Sequence, residues 1–458
     1  MSIRFRRMKV VALVDGEHYP AVTRWGLASA RARGYEVLAA VAVGGIEKLP
    51  TDRRLDLGPV PVIDGASAPM AALATAVREH RPEAVLDLSD EPVLVYERRM
   101  ELIAVALAEG IPYVGPDFRF DPPVVDAPLA VPTVGVIGTG KRVAKTAMAG
   151  HVARLAAGKG MGPIVVAMGR GGPPGPVMVG PEDVDLAALL ARASSGEHAA
   201  SDYLEDALTA GVPTVGARRC GGGLAGRPFV TNVAEAAAQA VAAGAGLVIL
   251  EGSGAAMPTV PWDAGILMVP SSLPPDHLGG YLGPLRVLLS DLLVFIIAGG
   301  SDTGPENLSI LDSQARRLRP DIRVAVAELQ PVPLADVRGK DAFFATTAQG
   351  ELAVRLAGVL EETAGCRVIA ISSRLADRAR LEEDLNAAGR FDVLLTELKA
   401  AAVDVAARRA LERGAEVVFV DNRPRSVGGG TALEDELLAL IGLAAKRGRH
   451  RASTPSGA

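Results

Sequence analysis

The sequence predicts an α/β protein on mostly parallel sheets, with an N-terminal parallel α/β domain followed by a larger domain. Continuous apolar runs alternate with segments of helical periodicity along almost the whole chain. In the first part of the chain, the apolar run Met8–Val14 precedes an amphipathic helical segment at 21–33. Further candidate strands lie at 36–43, 84–88 and 112–114, and a helix is expected around 94–109. Such alternation is typical of βαβ units whose strands are buried on both faces.

A second α/β unit begins at Thr133. Its candidate strands cover residues 133–137, 163–168, 247–250, 265–269, 292–298, 322–328, 342–346, 367–371, 393–395 and 416–420, with helices between most of them. A proline-rich stretch at 118–133 has the composition of a linker. We therefore expect an N-terminal α/β domain at 1–126 and a larger domain at 127–445. The tail at 446–458, basic and then small and polar, predicts disorder.

Composition narrows the class of protein. The chain has 458 residues, a net charge of -5 and only 4% aromatic residues, which argues against a nucleic-acid surface with stacking platforms. Two cysteines, Cys220 and Cys366, provide no disulfide framework, so a reducing cytoplasm is expected. The first apolar run ends at Asp15, too early for a signal peptide, and no run is long enough to span a membrane.

The segment VIGTGKRVAKTAMAGHVARL, residues 136–155, predicts a phosphate-binding loop between a strand and a helix. Lys145 and Thr146 match the end of the pattern G-x-x-x-x-G-K-[ST], while Thr139 and Ala144 stand at its two glycine positions. The expected nucleotide-binding set comprises the loop residues Gly138, Thr139 and Gly140 together with Lys145 and Thr146.

Loop amides and the helix N-terminus would bind anionic oxygens, Lys145 would bridge the outer phosphates, and Thr146 would hold Mg²⁺. Lys141 and Arg142 add positive charge beyond the usual motif. The alternative is a glycine-containing turn with a solvated basic tip. With the functional interpretation, residues 127–445 form a P-loop NTP-binding catalytic domain.

Polar residues also follow several other predicted strands. Glu251 ends LVILE before a Gly-rich turn, where it would hold Mg²⁺ or orient a nucleophile, or would cap the loop. Arg170 stands among glycines after the strand at 163–168, in an anion site or a flexible loop. Arg218 and Arg219 precede three glycines and suggest a second anion site, suited to a doubly phosphorylated ligand.

Three further groups are weaker signals. A helix from about residue 200 would put Asp202 and Glu205 on one face, to bind metal or an arginine or simply to face solvent. Cys220 has no nearby histidine in the sequence, and a small buried residue is expected there. Glu397 and Lys399 follow one late strand, and residues 421–423 follow another.

Taken in order, seven segments resemble the cyclic 2,3-diphosphoglycerate synthetase family. They are LVDGEHYP (13–20), IGTGKRVAKTA (137–147), MGRGGP (168–173), SDYLEDAL (201–208), RRCGGGLAG (218–226), LEGSG (250–254) and TELKAAAVDV (396–405). The ordered set runs through nearly the whole chain and is specific, although each segment alone is weak. The EGSG element is similar to the dethiobiotin-synthetase-like branch of P-loop enzymes. The family usually has a glycine before the P-loop lysine, where this chain has Ala144.

The resemblance implies an ATP- and Mg²⁺-dependent ligase, active as a cytoplasmic homodimer, that closes a phosphoanhydride within 2,3-diphosphoglycerate and releases ADP and phosphate. We expect Arg170, Arg218 and Arg219 to neutralise the two substrate phosphates. Catalytic roles are expected for the four residues Lys145, Glu251, Lys141 and Arg142. The alternatives are a 2-phosphoglycerate kinase that makes the open bisphosphate, and a nucleotide-hydrolysing switch that acts on a protein partner.

Overall fold

A computed structural model describes residues 6–50, 54–297, 305–427 and 432–453. Contacts between α-carbons divide the chain into two compact units. The first comprises Met1–Val124, Pro274–Leu289 and Ser313–Pro320, and the second comprises Val125–Leu273, Ser290–Asp312 and Asp321–Ala458. The first unit therefore includes two segments from much later in the sequence, which a single boundary at residue 126 does not anticipate.

The strands of the described residues are β1 (Met8–Val14), β2 (Tyr35–Ala42), β3 (Val62–Asp64), β4 (Ala84–Asp87), β5 (Tyr113–Val114), β6 (Arg119–Phe120), β7 (Thr133–Gly138), β8 (Pro163–Gly169), β9 (Val177–Val179), β10 (Thr214–Cys220), β11 (Val230–Thr231), β12 (Leu247–Glu251), β13 (Ala264–Pro270), β14 (Leu292–Ile296), β15 (Arg323–Pro333), β16 (Asp341–Ala345), β17 (Arg367–Ser372), β18 (Val393–Thr396) and β19 (Glu416–Ser426). Residue 298, the end of the predicted strand 292–298, lies outside the described residues.

The α-helices are α1 (Pro20–Ala32), α2 (Pro69–His80), α3 (Tyr96–Ala108), α4 (Lys145–Gly158), α5 (Leu186–Ser194), α6 (Asp202–Ala210), α7 (Val233–Ala242), α8 (Pro275–Gly279), α9 (Gly283–Leu288), α10 (Pro305–Leu318), α11 (Gly350–Ala364), α12 (Arg378–Ala387), α13 (Arg408–Glu412) and α14 (Leu433–Ser453). A π-helical segment at Ala402–Ala407 leads into α13. Among the described residues, none of the helices is both long and apolar enough to cross a membrane.

The first unit is a sheet of order β3-β2-β1-β4-β5-β6, parallel except for β6. The carboxylates at the ends of β1 and β4 have local partners. Asp15 accepts hydrogen bonds from the backbone N–H groups of Glu17, His18 and Asp90. Asp87 accepts from the Tyr113 hydroxyl at 2.8 Å, among other donors. These contacts support turn and loop structure at both strand ends.

The sheet of the second unit has the order β11-β10-β8-β12-β7-β13-β14-β15-β19-β18-β16-β17, with β9 paired to β10. The strands from β10 to β15 run parallel, β19 pairs antiparallel with β15, and the strands beyond β19 run parallel to it. Helices α4 and α14 pack on one face of the central strands and α7 packs on the other. The predicted mostly parallel α/β fold is confirmed.

The C-terminal helix α14 covers much of the segment for which the sequence predicts disorder. Its apolar residues Leu437, Leu440 and Ala444 are buried. Arg447 pairs with Asp291 at 2.9 Å, and Arg451 pairs with Asp263. Residues 446–453 are therefore helical because their basic side chains find carboxylates far away in the sequence; residues 454–458 lie outside the described part of the chain.

The second unit has strands that the sequence did not predict. Gly216 and two arginines interrupt the apolar pattern of β10, so this strand, second from the edge of the sheet, gives no continuous hydrophobic run. β15 and β19 extend beyond the predicted ends because they form a long antiparallel ladder, Ala327↔Ser426 to Pro333↔Val420. Backbone pairing between distant segments therefore sets the length of these strands.

Candidate functional site

The loop between β7 and α4 has the shape of a phosphate cradle. β7 is buried along its length, and a Cβ atom at Gly138 would lie 2.6 Å from the Val143 side chain. No side chain of the described residues caps the N-terminus of α4, and its first amides can bind an anion. The Lys145 ammonium donates a hydrogen bond to the Gly140 carbonyl oxygen at 2.8 Å.

Ala144 adopts a left-handed conformation, with φ 61° and ψ 25°. Glycine adopts this conformation at little cost, whereas a Cβ atom makes it unfavourable by roughly 1–2 kcal/mol. The departure from the usual motif therefore retains the loop backbone and adds conformational strain. Arg142, with φ 61°, lies in the same region.

Glu251 at the end of β12 faces the loop because β12 pairs directly with β7. The Thr146 hydroxyl donates a hydrogen bond to Glu251 Oε1 at 2.6 Å, and Glu251 Oε2 is buried without a partner among the described residues. Burial, followed by the charge of Asp202, raises the pKa of Glu251 to about 8, and the Thr146 hydrogen bond opposes this rise. Burial also lowers the pKa of Lys145 to about 8, although Glu251 and Asp202 act in the opposite direction.

Helix α6 adds carboxylates to this edge of the sheet. A Cβ atom at Gly169 would lie 3.5 Å from Asp202 Oδ2, which places Asp202 at the end of β8. Asp206 is fully buried, and neither of its oxygens accepts a hydrogen bond from a donor in the described residues. Burial, followed by the charge of Glu251, raises the pKa of Asp206 well above its usual range. Sequence reasoning missed Asp206, although its i, i+4 spacing from Asp202 was an available signal.

Two of the three predicted substrate arginines lie together. A Cβ atom at Gly254 would lie 2.9 Å from Nη2 of Arg170 and 3.2 Å from Nη2 of Arg219. Arg219 also donates to the Ser253 carbonyl oxygen at 2.7 Å, and its Nε is buried without a partner among the described residues. The charges of both arginines act on Lys145, which places them at the same edge as the phosphate loop.

Arg218 lies on the opposite side of β10 from Arg219, because successive residues of a strand point to opposite faces. Its guanidinium is exposed and donates to the carbonyl oxygens of Pro173 at 2.7 Å and Gly172 at 3.2 Å. The structure therefore separates the two adjacent arginines that the sequence analysis grouped as one anion site.

The remaining candidates occupy varied positions. Lys141 and Arg142 are exposed at the loop tip. Cys220 is exposed, contrary to the expectation of a buried residue, because it ends β10 at the sheet margin. Lys399 forms an ion pair with Glu205 of α6 at 3.2 Å. A late strand end therefore contacts the helix that carries the site carboxylates.

The fold and this site define the class of the protein. Four features together form a P-loop nucleotide-binding site: a buried strand, a loop ending in Lys-Thr, a helix whose N-terminus is uncapped by described side chains, and a carboxylate on the adjacent strand. The chain belongs to the cyclic 2,3-diphosphoglycerate synthetase family. Models of three domains of this family match the chain: the N-terminal domain at residues 9–121, the P-loop domain at 133–327 and the C-terminal domain at 333–423. The resemblance inferred from the motifs is confirmed.

Relatives named cyclic 2,3-diphosphoglycerate synthetase match over most of the chain. The protein of Rubrobacter xylanophilus is 43% identical, with 96% of this chain and 99% of that protein covered. The Methanothermobacter thermautotrophicus protein is 38% identical, with 94% and 96% covered. The Thermococcus kodakarensis protein is 40% identical, with 92% and 95% covered.

Proposed function

We propose that the protein is an ATP-dependent ligase that converts 2,3-diphosphoglycerate to cyclic 2,3-diphosphoglycerate, releasing ADP and phosphate. The name shared by its nearly full-length relatives supports this substrate. The observation that carries the proposal is the meeting of a P-loop with two guanidinium groups, Arg170 and Arg219, at one sheet edge. The P-loop can bind the phosphates of a nucleoside triphosphate, and the two guanidinium groups supply positive charge for a substrate with several phosphates.

The reaction balances in two displacements. An oxygen of one substrate phosphate attacks the γ-phosphorus of ATP, which forms a phosphoanhydride and breaks the bond to ADP. An oxygen of the other substrate phosphate then attacks the first substrate phosphorus and expels the transferred group as inorganic phosphate. One intramolecular phosphoanhydride forms for each ATP cleaved. The chain's task is to hold mutually repelling groups in line and to neutralise their charge.

The side chains divide this task. Lys145 and the loop residues from Gly138 to Gly140 would bind the ATP phosphates. Arg170 and Arg219 would hold the two substrate phosphates close together, which their mutual repulsion otherwise opposes. Lys141 and Arg142 at the exposed loop tip would add charge toward the outer phosphates. Binding of a substrate phosphate by Arg218, expected from the sequence, stays untested and is not part of this proposal.

The residues present fit a Mg²⁺ ion. Thr146 supplies a hydroxyl, and Glu251 supplies a buried carboxylate whose second oxygen has no partner among the described residues. Mg²⁺ is usually held by one or two such protein oxygens together with phosphates and water. When bound, the ion would neutralise charge on the phosphates.

Phosphorus NMR of the purified protein with Mg²⁺-ATP and 2,3-diphosphoglycerate tests the proposed function. New phosphoanhydride signals from the glycerate, formed together with ADP and phosphate, are the expected result. Equal ATP turnover without the glycerate would instead identify a hydrolytic switch, and formation of bisphosphate from 2-phosphoglycerate without ring closure would identify a kinase. The proposal includes a cytoplasmic homodimer, and light scattering of the purified protein measures the oligomeric state.

A further inference from the structure

The loop after β18 brings a lysine from the C-terminal part of the chain to α6. The Lys399 ammonium lies 3.2 Å from Glu205 Oε1. The Glu205 side chain is only 11% exposed, whereas that of Lys399 is 36% exposed. An ammonium group has three N–H donors, and a contact with one oxygen leaves donors for another acceptor.

The backbone around Lys399 is firmly held. The buried Glu397 carboxylate accepts hydrogen bonds from the hydroxyls of Thr346 and Thr347, each at 2.9 Å, and from the Asn422 amide at 3.1 Å. These bonds tie the end of β18 to the end of β16 and to β19. Ala400 adopts a left-handed conformation with φ 47°, and the π-helical segment Ala402–Ala407 follows. π-Helical turns are rare and frequently occur at functional sites.

Lys399 also lies near the charged edge of the P-loop sheet. Asp202, one turn before Glu205 on α6, exerts its charge on both Lys399 and Lys145. Asp202 also borders Gly169, the residue before Arg170. The charge of one carboxylate, Asp202, therefore acts on the Lys399 ammonium and on the lysine of the phosphate loop.

We propose that Lys399 is a further substrate-binding residue, which donates a hydrogen bond to an anionic oxygen of the phosphorylated glycerate. This inference rests on the proposed function and assigns part of its substrate site to the C-terminal domain. The substrate carries a carboxylate and two phosphates, and Lys145 is engaged by the nucleotide. Lys399 would add to Arg170 and Arg219 a third cation, which a fixed loop holds in place. Although burial lowers the pKa of Lys399, the charges of Glu205 and Glu397 outweigh it and raise the pKa above its usual value, so the group stays charged.

The test compares Lys399→Met with Lys399→Arg and with Lys340→Met. Lys340 is a matched control because it also pairs with a glutamate, Glu416 at 2.6 Å, within the family's C-terminal domain. A lost charge-assisted hydrogen bond is worth roughly 1.5–3 kcal/mol, so Lys399→Met should raise the KM for 2,3-diphosphoglycerate by roughly 10- to 150-fold. The KM for ATP should change by less than about twofold, Lys399→Arg should recover part of the loss, and Lys340→Met should change neither KM.

Calorimetric binding of 2,3-diphosphoglycerate without ATP separates this inference from the proposed function. Weaker binding by Lys399→Met than by the unsubstituted protein supports the inference, whether or not cyclisation occurs. Equal binding by the two proteins, or no binding by either, overturns it. If the ion pair between Lys399 and Glu205 has only a structural role, Glu205→Gln should reproduce both the full rise in KM and the fall in melting temperature of Lys399→Met. That result would also overturn the inference.

Discussion

Arg218 and Arg219 are adjacent in sequence, and the structure predicts that their substitution affects catalysis very differently. Arg219 lies beside Arg170 and near the phosphate loop. Within the described residues, the Arg218 guanidinium donates to backbone carbonyls on the other side of β10. We therefore expect Arg219→Met to impair the use of 2,3-diphosphoglycerate far more than Arg218→Met does.

The magnitude follows from the contacts that each residue makes. A hydrogen bond to a charged phosphate contributes roughly 1.5–3 kcal/mol, which corresponds to a loss of roughly 10- to 150-fold in kcat/KM for Arg219→Met. Arg219 also donates to Ser253 and Gly221, so part of the loss will come from a displaced Gly-rich turn. Arg218 has only exposed hydrogen bonds to lose, and we expect a decrease of less than about threefold.

The assay is initial-rate kinetics with 2,3-diphosphoglycerate and with ATP varied in turn, on proteins of matched melting temperature. Arg219→Lys keeps the charge but not the planar fork, and should recover part of the activity. Equal losses in the two methionine variants, or a larger loss in Arg218→Met, would refute the assignment of the two arginines to opposite sides of the strand.

Three further predictions concern the P-loop and its carboxylate neighbours. The dependence of kcat/KM on pH should be bell-shaped with a maximum near pH 8, because Glu251 is protonated below its pKa of about 8 and Lys145 is neutral above its pKa of about 8. Lys145→Arg should remove the fall in kcat/KM at high pH, and a fall that persists in this variant would contradict this reasoning. The melting temperature of the unliganded protein should decrease as pH rises from about 4.5 to about 8 and level off above that, because the pKa values of Glu205 and Glu251 are raised to about 7 and about 8 in the folded chain, whereas the unfolded chain releases these protons near pH 4.5. In a pH series of thermal melts, Glu251→Gln should reduce this slope, and an unchanged slope would exclude Glu251 as its source. Ala144→Gly should retain ATP binding, whereas Ala144→Val should weaken both ATP binding and stability because a β-branched residue at positive φ is strained. Calorimetry with ATP measures the affinity, and a valine variant that binds ATP as tightly as the unsubstituted protein would argue against a left-handed conformation at residue 144.

The sequence predicted the features that depend on local pattern. Apolar runs and helical periods between them are set by neighbouring residues, so they indicated the α/β class and most central strands. Lys145, Thr146 and Glu251 follow their strands directly, and parallel strands present such ends at one edge. The sequence alone therefore predicted that the phosphate loop and the Glu251 carboxylate lie at the same edge of the sheet, and the ordered motifs indicated the family.

Tertiary structure decided what depends on contacts between distant segments. β10 has no continuous apolar run, and only its pairing with β8 shows that Arg218 and Arg219 point to opposite faces. The basic residues of α14 fold because Asp263 and Asp291 lie opposite them. Lys399 reaches Glu205 across nearly two hundred residues of sequence because the C-terminal strands return to α6. Local propensity contains no information about such pairings, since they exist only once the chain has packed.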